Sequence, residues 1–209
     1  EVVEGLQFVC SDMWRPYLNV IAEQAGHALH VLDRFHITSH MNQALDQVRR
    51  AESGQLRAAG GAMAERLKNM RWKLLRRGSR VRGRARRQLR GLLKTKLVTA
   101  RAWALKDLFA HFWSYKSVRH AGDFLDYWIW RALRSRIEPM KKVARMLRSH
   151  EGLLMNWFEA KGEISSGAVE GLNNKIRVVN RRSYGFRTYT AMEIALYHTL
   201  GRLPEPGEF

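Results

Sequence analysis

The sequence predicts a small α/β unit joined to a large all-helical module, so that the chain as a whole is mostly helical. Three observations carry this. Two short apolar runs, Leu6 to Cys10 and Ala28 to Leu32, flank a helical stretch near the start, the pattern of a parallel βαβ unit. After His36 the apolar residues recur at three- and four-residue steps for the rest of the chain, which is the helical period. Between Arg66 and Lys96 stand fourteen Lys or Arg and no Asp or Glu, with tryptophan and leucines interleaved. That spacing sorts cations and apolar groups onto different helix faces.

In chain order, the run LQFVC ends at Ser11-Asp12. This puts Asp12 at the carboxyl end of a buried strand, where open α/β sheets hold their ligands. Pro16 suits the first turn of a helix that runs to about Ala25 and stops at Gly26. The run ALHVL gives the second strand, followed by Asp33-Arg34-Phe35-His36. Two strands are too few for a stable sheet, so more are expected upstream of Glu1. The start at glutamate rather than methionine is read the same way, as a piece of something longer.

Ile37, Met41, Ala44, Leu45 and Val48 make an amphipathic helix that fades near Glu52, with Gly54, Gly60 and Gly61 as a loosened joint. The basic run from Arg66 to Lys96 is then expected as a helical hairpin or arm touching nucleic-acid backbone, since Lys and Arg neutralise phosphates. Leu105, Leu108, Phe109, Phe112 and Trp113 form one stripe. Phe124, Leu125, Trp128, Ile129, Ala132 and Leu133 form the next, Pro139 opens a further helix, and Trp157 and Phe158 lie on a fourth segment. Aromatics at helical spacing read as bundle core rather than base-stacking platforms. The expected divisions are 1–52, the βαβ unit and its following helix; 53–160, the basic helical insertion; 161–203, a return helix and a final one; and 204–209, a tail.

The formal charge of +18 and a sequence pI near 10.9 make a polyanion the default partner. No apolar run is long enough to span a membrane and no signal pattern opens the chain. The single cysteine, Cys10, offers neither an internal disulfide nor a Cys-x-x-Cys zinc site, which fits a reducing cytosol. Buried in an apolar strand, it is a poor candidate nucleophile. Neither G-x-G-x-x-G nor a P-loop occurs, so no nucleotide cofactor is indicated.

The stretch from Ser165 to Arg187, SSGAVEGLNNKIRVVNRRSYGFR, reads as one helix. Val169, Leu172, Ile176 and Val179 are its buried stripe; Glu170, Asn173, Asn174, Arg177 and Arg181 share the neighbouring face. A carboxylate followed by amides and guanidinium groups suits a divalent cation beside a phosphate backbone. A plainer reading is that Glu170 favours the helix dipole and the arginines are solvated. Asp12, Asp33 and Glu170 fall where strand ends and a returning helix could gather them. Such a set of oxygen ligands can hold two Mg²⁺ or Mn²⁺ ions about 3.5–4 Å apart for in-line attack on a phosphodiester. Asp33, His36 and His40 raise a zinc alternative, but a third clear ligand and an HExxH-type pattern are missing.

The motifs SDMWRPY, LDRFHI, RSRIEPMKKVARML and SSGAVEGLNNKIRVVNRRSYGFR together resemble the catalytic domain of bacterial insertion-sequence transposases of the ISL-three type, over nearly the whole chain. The resemblance implies a partial RNase H-like fold with an all-helical insertion and a DDE site using Mg²⁺. It assigns Asp12 and Glu170 as catalytic and metal-holding acids, with Asp33 and His36 in support beside them. It further implies grip on insertion-sequence ends of double-stranded DNA, by Asn174, Arg177, Arg181 and Arg182 near the cut and by Arg71, Lys73, Arg76 and Arg77 on flanking duplex. A homodimer on DNA and a bacterial cytoplasmic, nucleoid-associated location follow as expectations. The family's first catalytic aspartate, on the opening strand, has no counterpart here, so the chain alone is expected to be inactive. A non-catalytic basic nucleic-acid-binding remnant is the alternative; a helical module for an acidic protein is a third.

Overall fold

A computed structural model describes residues 4–160 and 167–200, the side chains at 167–174 and 200 excepted. Two strands, β1 (Phe8–Ser11) and β2 (Leu29–Leu32), pair in parallel, with Phe8 opposite Leu29 and Ser11 opposite Leu32. Between them runs α1 (Arg15–Gln24), with Pro16 in its first turn. The βαβ unit is therefore present. Its first strand lies further along than the apolar run suggests: Leu6 and Phe8 are exposed and pairing extends to Ser11. Trp14, Tyr17 and Val20 are all more than half exposed, so α1 leaves an apolar face uncovered among the described residues.

The rest of the first compact unit, residues 1–164, is helical. Its spine is α2 (Arg34–Ala58), whose residues Ile37, Met41, Ala44, Leu45 and Val48 are buried as their spacing requires. Of the joint expected at Gly54, Gly60 and Gly61, the turn at Gly60 and Gly61 is present and Gly54 is not part of it. Exposed Gly54 is carried within the helix, and the chain turns instead at Gly60, whose φ of 72° is a left-handed conformation that disfavours side chains. Glu52 belongs to the interior: its two carboxylate oxygens accept the N–H groups of Val98 and Thr99 at 2.7 and 2.8 Å. Those are the first amides of α6 (Val98–Phe109), so Glu52 caps a helix from a distant segment.

The basic run is not a projecting arm. It folds as α3 (Met63–Lys68), α4 (Arg71–Leu75), a 3₁₀ turn (Gly78–Arg80) and α5 (Gly83–Leu93). Leu67, Met70, Leu74, Val81, Leu89 and Leu92 enter the same core as α2. The apolar residues interleaved among the cations decide this, because burying them outweighs what a solvated arm could gain. Beyond α6 come a 3₁₀ turn (Phe112–Ser114), α7 (Val118–Arg134), α8 (Glu138–Ser149) and α9 (Glu151–Glu159). The aromatic stripes are bundle core: Phe109 meets Trp128 at 4.9 Å and Phe112 meets Phe158 at 4.9 Å between ring centroids. The Trp128 indole N–H donates to the Leu105 carbonyl at 2.8 Å. Helix α9 packs against β2, and Asn156 donates to the His30 carbonyl there. Segments on both sides of residue 52 thus share one core, which runs from Leu32 to Phe158.

The second unit, residues 165–209, contains α10 (Gly167–Arg182) and α11 (Tyr189–Leu200), which pack on each other. Helix α10 closes with Tyr184 and Gly185 at positive φ (51° and 94°) and the Gly185 N–H on the Asn180 carbonyl, a left-handed stop. The expected tail, 204–209, lies outside the described residues.

Candidate functional site

The strands end side by side. Ser11 and Leu32 are register partners, and the Asp33 N–H donates to the Ser11 carbonyl at 2.8 Å. Asp12 and Asp33 are therefore the first residues beyond two adjacent parallel strands. They are employed differently. Buried Asp33 caps α2: Oδ1 accepts the Phe35 N–H at 2.8 Å, and Oδ2 lies 2.6 Å from His36 Nδ1. An aspartate just before the apolar period of a helix is a capping signal the sequence already contained.

Half-buried Asp12 accepts the Trp14 N–H through Oδ1 at 2.9 Å, an Asx turn that starts α1. His40, one turn after His36, stands within electrostatic reach of it: burial and His36 lower its pKa, while the Asp12 charge raises it. Among the described residues, no three of His, Cys, Asp and Glu gather closely enough to hold a metal ion. The zinc arrangement of Asp33, His36 and His40 therefore gains no support. Burial, and then the Asp33 charge, push the Cys10 thiol up, which keeps it protonated and unreactive.

Glu170 and Asn174 lie on α10, with their side chains outside the described residues. On the same helix Arg177, Arg181 and Arg182 are exposed, Ile176 is half-buried and Val179 is buried. The division of faces expected from sequence holds for Arg177, Arg181, Ile176 and Val179. Val169 and Leu172 fall outside the described side chains.

In the first unit, Arg76 is exposed and Lys73 and Arg77 are half-buried. Arg71 is partly committed inward: its guanidinium lies 4.8 Å over the Trp72 ring, and its Nε is 3.6 Å from Asp46 Oδ1. Asp46 also pairs with Arg49 and Arg50 at 2.8 Å. Burial pushes its pKa up, but the Arg49 hydrogen bond and the three cations more than offset this and hold it below the usual carboxylate value. The sequence did not reveal Arg34 and Arg80, which join Arg77 in a cavity of about 250 Å³. Residues 34 and 80 lie too far apart for any periodicity to connect them.

A parallel strand pair with an acid at its carboxyl edge, set in a strongly basic and mostly helical chain, is what the described residues show. Comparison with known proteins narrows this. The model of a family described as Transposase, of the DDE ISL3 type, matches residues 1–196, and the chain belongs to that family. It is 28% identical over 186 residues to the transposase for insertion sequence element IS1001 of Bordetella parapertussis, covering 88% of this chain and 45% of that protein. It is 27% identical over 207 residues to the transposase for insertion sequence element IS1557 of Mycobacterium tuberculosis, covering 89% and 46%. The chain thus spans a little under half the length of these relatives. No solved structure gives a significant match. Among the described residues, no helix is long and apolar enough to cross a membrane.

Proposed function

We propose that this chain is the carboxyl-terminal part of a DDE transposase, acting in cleavage and strand transfer at insertion-sequence ends of double-stranded DNA, with a partial RNase H-like fold. The observation that carries the reading is Asp12 at the carboxyl edge of a parallel strand pair in a chain of the transposase family. The uncovered apolar face of α1 supports a larger sheet in the complete protein, since a two-stranded sheet is marginal by itself.

In this reading Asp12 and Glu170 hold Mg²⁺ or Mn²⁺. Their carboxylate oxygens have the hard-donor chemistry these ions prefer, although two acids are an incomplete set. When bound, the metal ions would activate the attacking oxygen and stabilise the leaving one. Asp33 and His36 hold the start of α2 beside Asp12 and so position the edge of the site. Asn174, Arg177, Arg181 and Arg182 grip backbone near the cut, and Lys73, Arg76, Arg77 and in part Arg71 hold flanking duplex. Such contacts position DNA without reading its sequence. A homodimer on DNA belongs to the same proposal.

Two measurements test it. The 209-residue chain should bind duplex DNA in a salt-dependent way and give no Mg²⁺-dependent nicking. In a longer protein that adds further strands and a third acid, nicking should appear, and Glu170→Gln should reduce it to background with binding unchanged. Retained nicking in that variant overturns the role of Glu170. Salt-sensitive binding with no cleavage in any longer form leaves the chain a non-catalytic binding module.

A further inference from the structure

Where α2 begins, the chain crowds three guanidinium groups into one recess. Arg34 is the first residue of α2, while Arg77 immediately precedes the 3₁₀ turn after α4 and Arg80 is that turn's last residue. All three line the cavity of about 250 Å³. The Arg80 N–H donates to the Arg77 carbonyl at 2.9 Å, which closes the turn between them. Arg34 is steadied from below, its guanidinium 5.2 Å from the centre of the Trp113 ring.

The floor is built to hold this turn. Lys106 donates to the Leu74 and Leu75 carbonyls at 2.7 Å each, tying down the end of α4. The Gly78 N–H donates to Asp107 Oδ1 at 2.8 Å. A Cβ at Gly78 would sit 2.8 Å from Asp107 Oδ2 and 3.0 Å from Trp103, so glycine permits the close approach. Asp107 is the one carboxylate among the residues lining the cavity, and it is engaged by that N–H. Three arginines and a lysine thus face one acid. Burial, then the Arg77 and Arg80 charges, depress the Arg34 pKa.

We propose that this recess is a socket for a single backbone phosphate of duplex DNA, gripped by Arg34, Arg77 and Arg80. Guanidinium forks match the geometry of phosphate oxygens. The volume falls below the roughly 300–1,000 Å³ of pockets that enclose drug-sized ligands, and so favours a small anionic group. Arg34 directly follows Asp33, so one wall of the socket is carried by the same helix start that Asp33 caps. This rests on the DNA-handling reading above and adds residues and a stoichiometry to it.

The test compares the triple variant Arg34→Gln/Arg77→Gln/Arg80→Gln with the charge-matched Arg82→Gln/Arg84→Gln/Arg86→Gln, three exposed arginines at the start of α5, using the 209-residue chain and a duplex oligonucleotide. Three arginines on one phosphate should lower the slope of log K against log salt by only about 0.9, yet cut affinity at fixed salt by about tenfold or more. The denaturation midpoint should hold or rise as repulsion is relieved. In wild type, inorganic phosphate should weaken duplex binding more than chloride of equal ionic strength; in the socket variant it should not. An unchanged affinity, or a loss no larger than that of the α5 control, overturns the socket alone. Phosphate that stabilises wild type while the socket variant keeps full DNA affinity makes this a small-anion site and overturns the DNA assignment. No salt-dependent duplex binding by wild type overturns the underlying reading as well.

Discussion

Between Arg66 and Lys96 the cations stand on a segment most of whose apolar residues lie in the core: Leu67, Met70, Leu74, Val81, Leu89 and Leu92 are at most 3% exposed, while Trp72 is exposed. On α10 the cations Arg177, Arg181 and Arg182 are carried differently. Val179 is the buried apolar residue described there, and neighbouring α11 exposes Tyr189, Ile194 and Tyr197. The two stretches look alike as strings of arginines. What separates them, among the described side chains, is how many large apolar residues are buried beside the charge, six between Arg66 and Lys96 against Val179 on α10, which sets how firmly each basic face is fixed to a core. A firmly fixed face can hold duplex in one register; a face on a two-helix unit can be placed by whatever that unit packs against.

The largest expected effect strikes the core beneath the first face. Trp128 is fully buried and its indole N–H is bonded. Trp128→Ala should destabilise the first unit by about 3–5 kcal/mol, measured from denaturant midpoints. Hydrogen exchange should show amides of α5, α6 and α7 losing protection together while those of α10 keep theirs. If α10 amides lose protection in step, the two units unfold as one block and the contrast between the faces disappears.

That contrast also shows what could be read from the sequence. The βαβ unit, the stripes of α2, α6 and α7 and the aromatic core were legible because periodicity and short apolar runs report which face is buried. The basic segment, expected as a helical hairpin or arm, is helical as its period implies, but how deeply its interleaved leucines enter the core is set by distant partners that no local pattern names. Of the three glycines read as a joint, Gly60 and Gly61 lie at the turn, where positive φ at Gly60 requires glycine; Gly54 does not, because an exposed glycine inside a long, well-packed helix is tolerated. Of the candidate site, Asp12 was legible from strand-end position. The bond from Glu52 to the start of α6, and the meeting of Arg34 with Arg80, are long-range products of packing that no local pattern encodes.

A middle-sized effect comes from Lys106, which ties the end of α4 to α6. Burial lowers its pKa from 10.5 to about 8, with Asp107 pulling the other way. Between these values the unfolded chain holds more protons than the folded one, so stability should rise as pH increases from about 8 to 10.5. Below pH 8 the full penalty of the buried charge is present; above 10.5 it is gone. The gain should be at most about 3 kcal/mol. Lys106→Met should flatten that part of the stability profile. An identical profile in wild type and variant would assign the slope to other lysines and tyrosines, and would remove Lys106 as a fastener of the first basic face.

The smallest effect on the fold, and the most direct comparison of the two faces, comes from Arg177→Gln/Arg181→Gln/Arg182→Gln. These side chains are exposed, so the denaturation midpoint should correspond to a change within about 0.5 kcal/mol. If each arginine meets its own phosphate along the helix, the slope of log K against log salt should fall by up to about 2.7. The socket variant, with three cations on one phosphate, should lose only about a third of that while losing more affinity at fixed salt. Equal slopes in the two variants would mean that both faces act as diffuse positive surfaces. An unchanged slope in the α10 variant would leave those arginines as a solvated helix face, and duplex binding would then belong to the firmly packed face of the first unit.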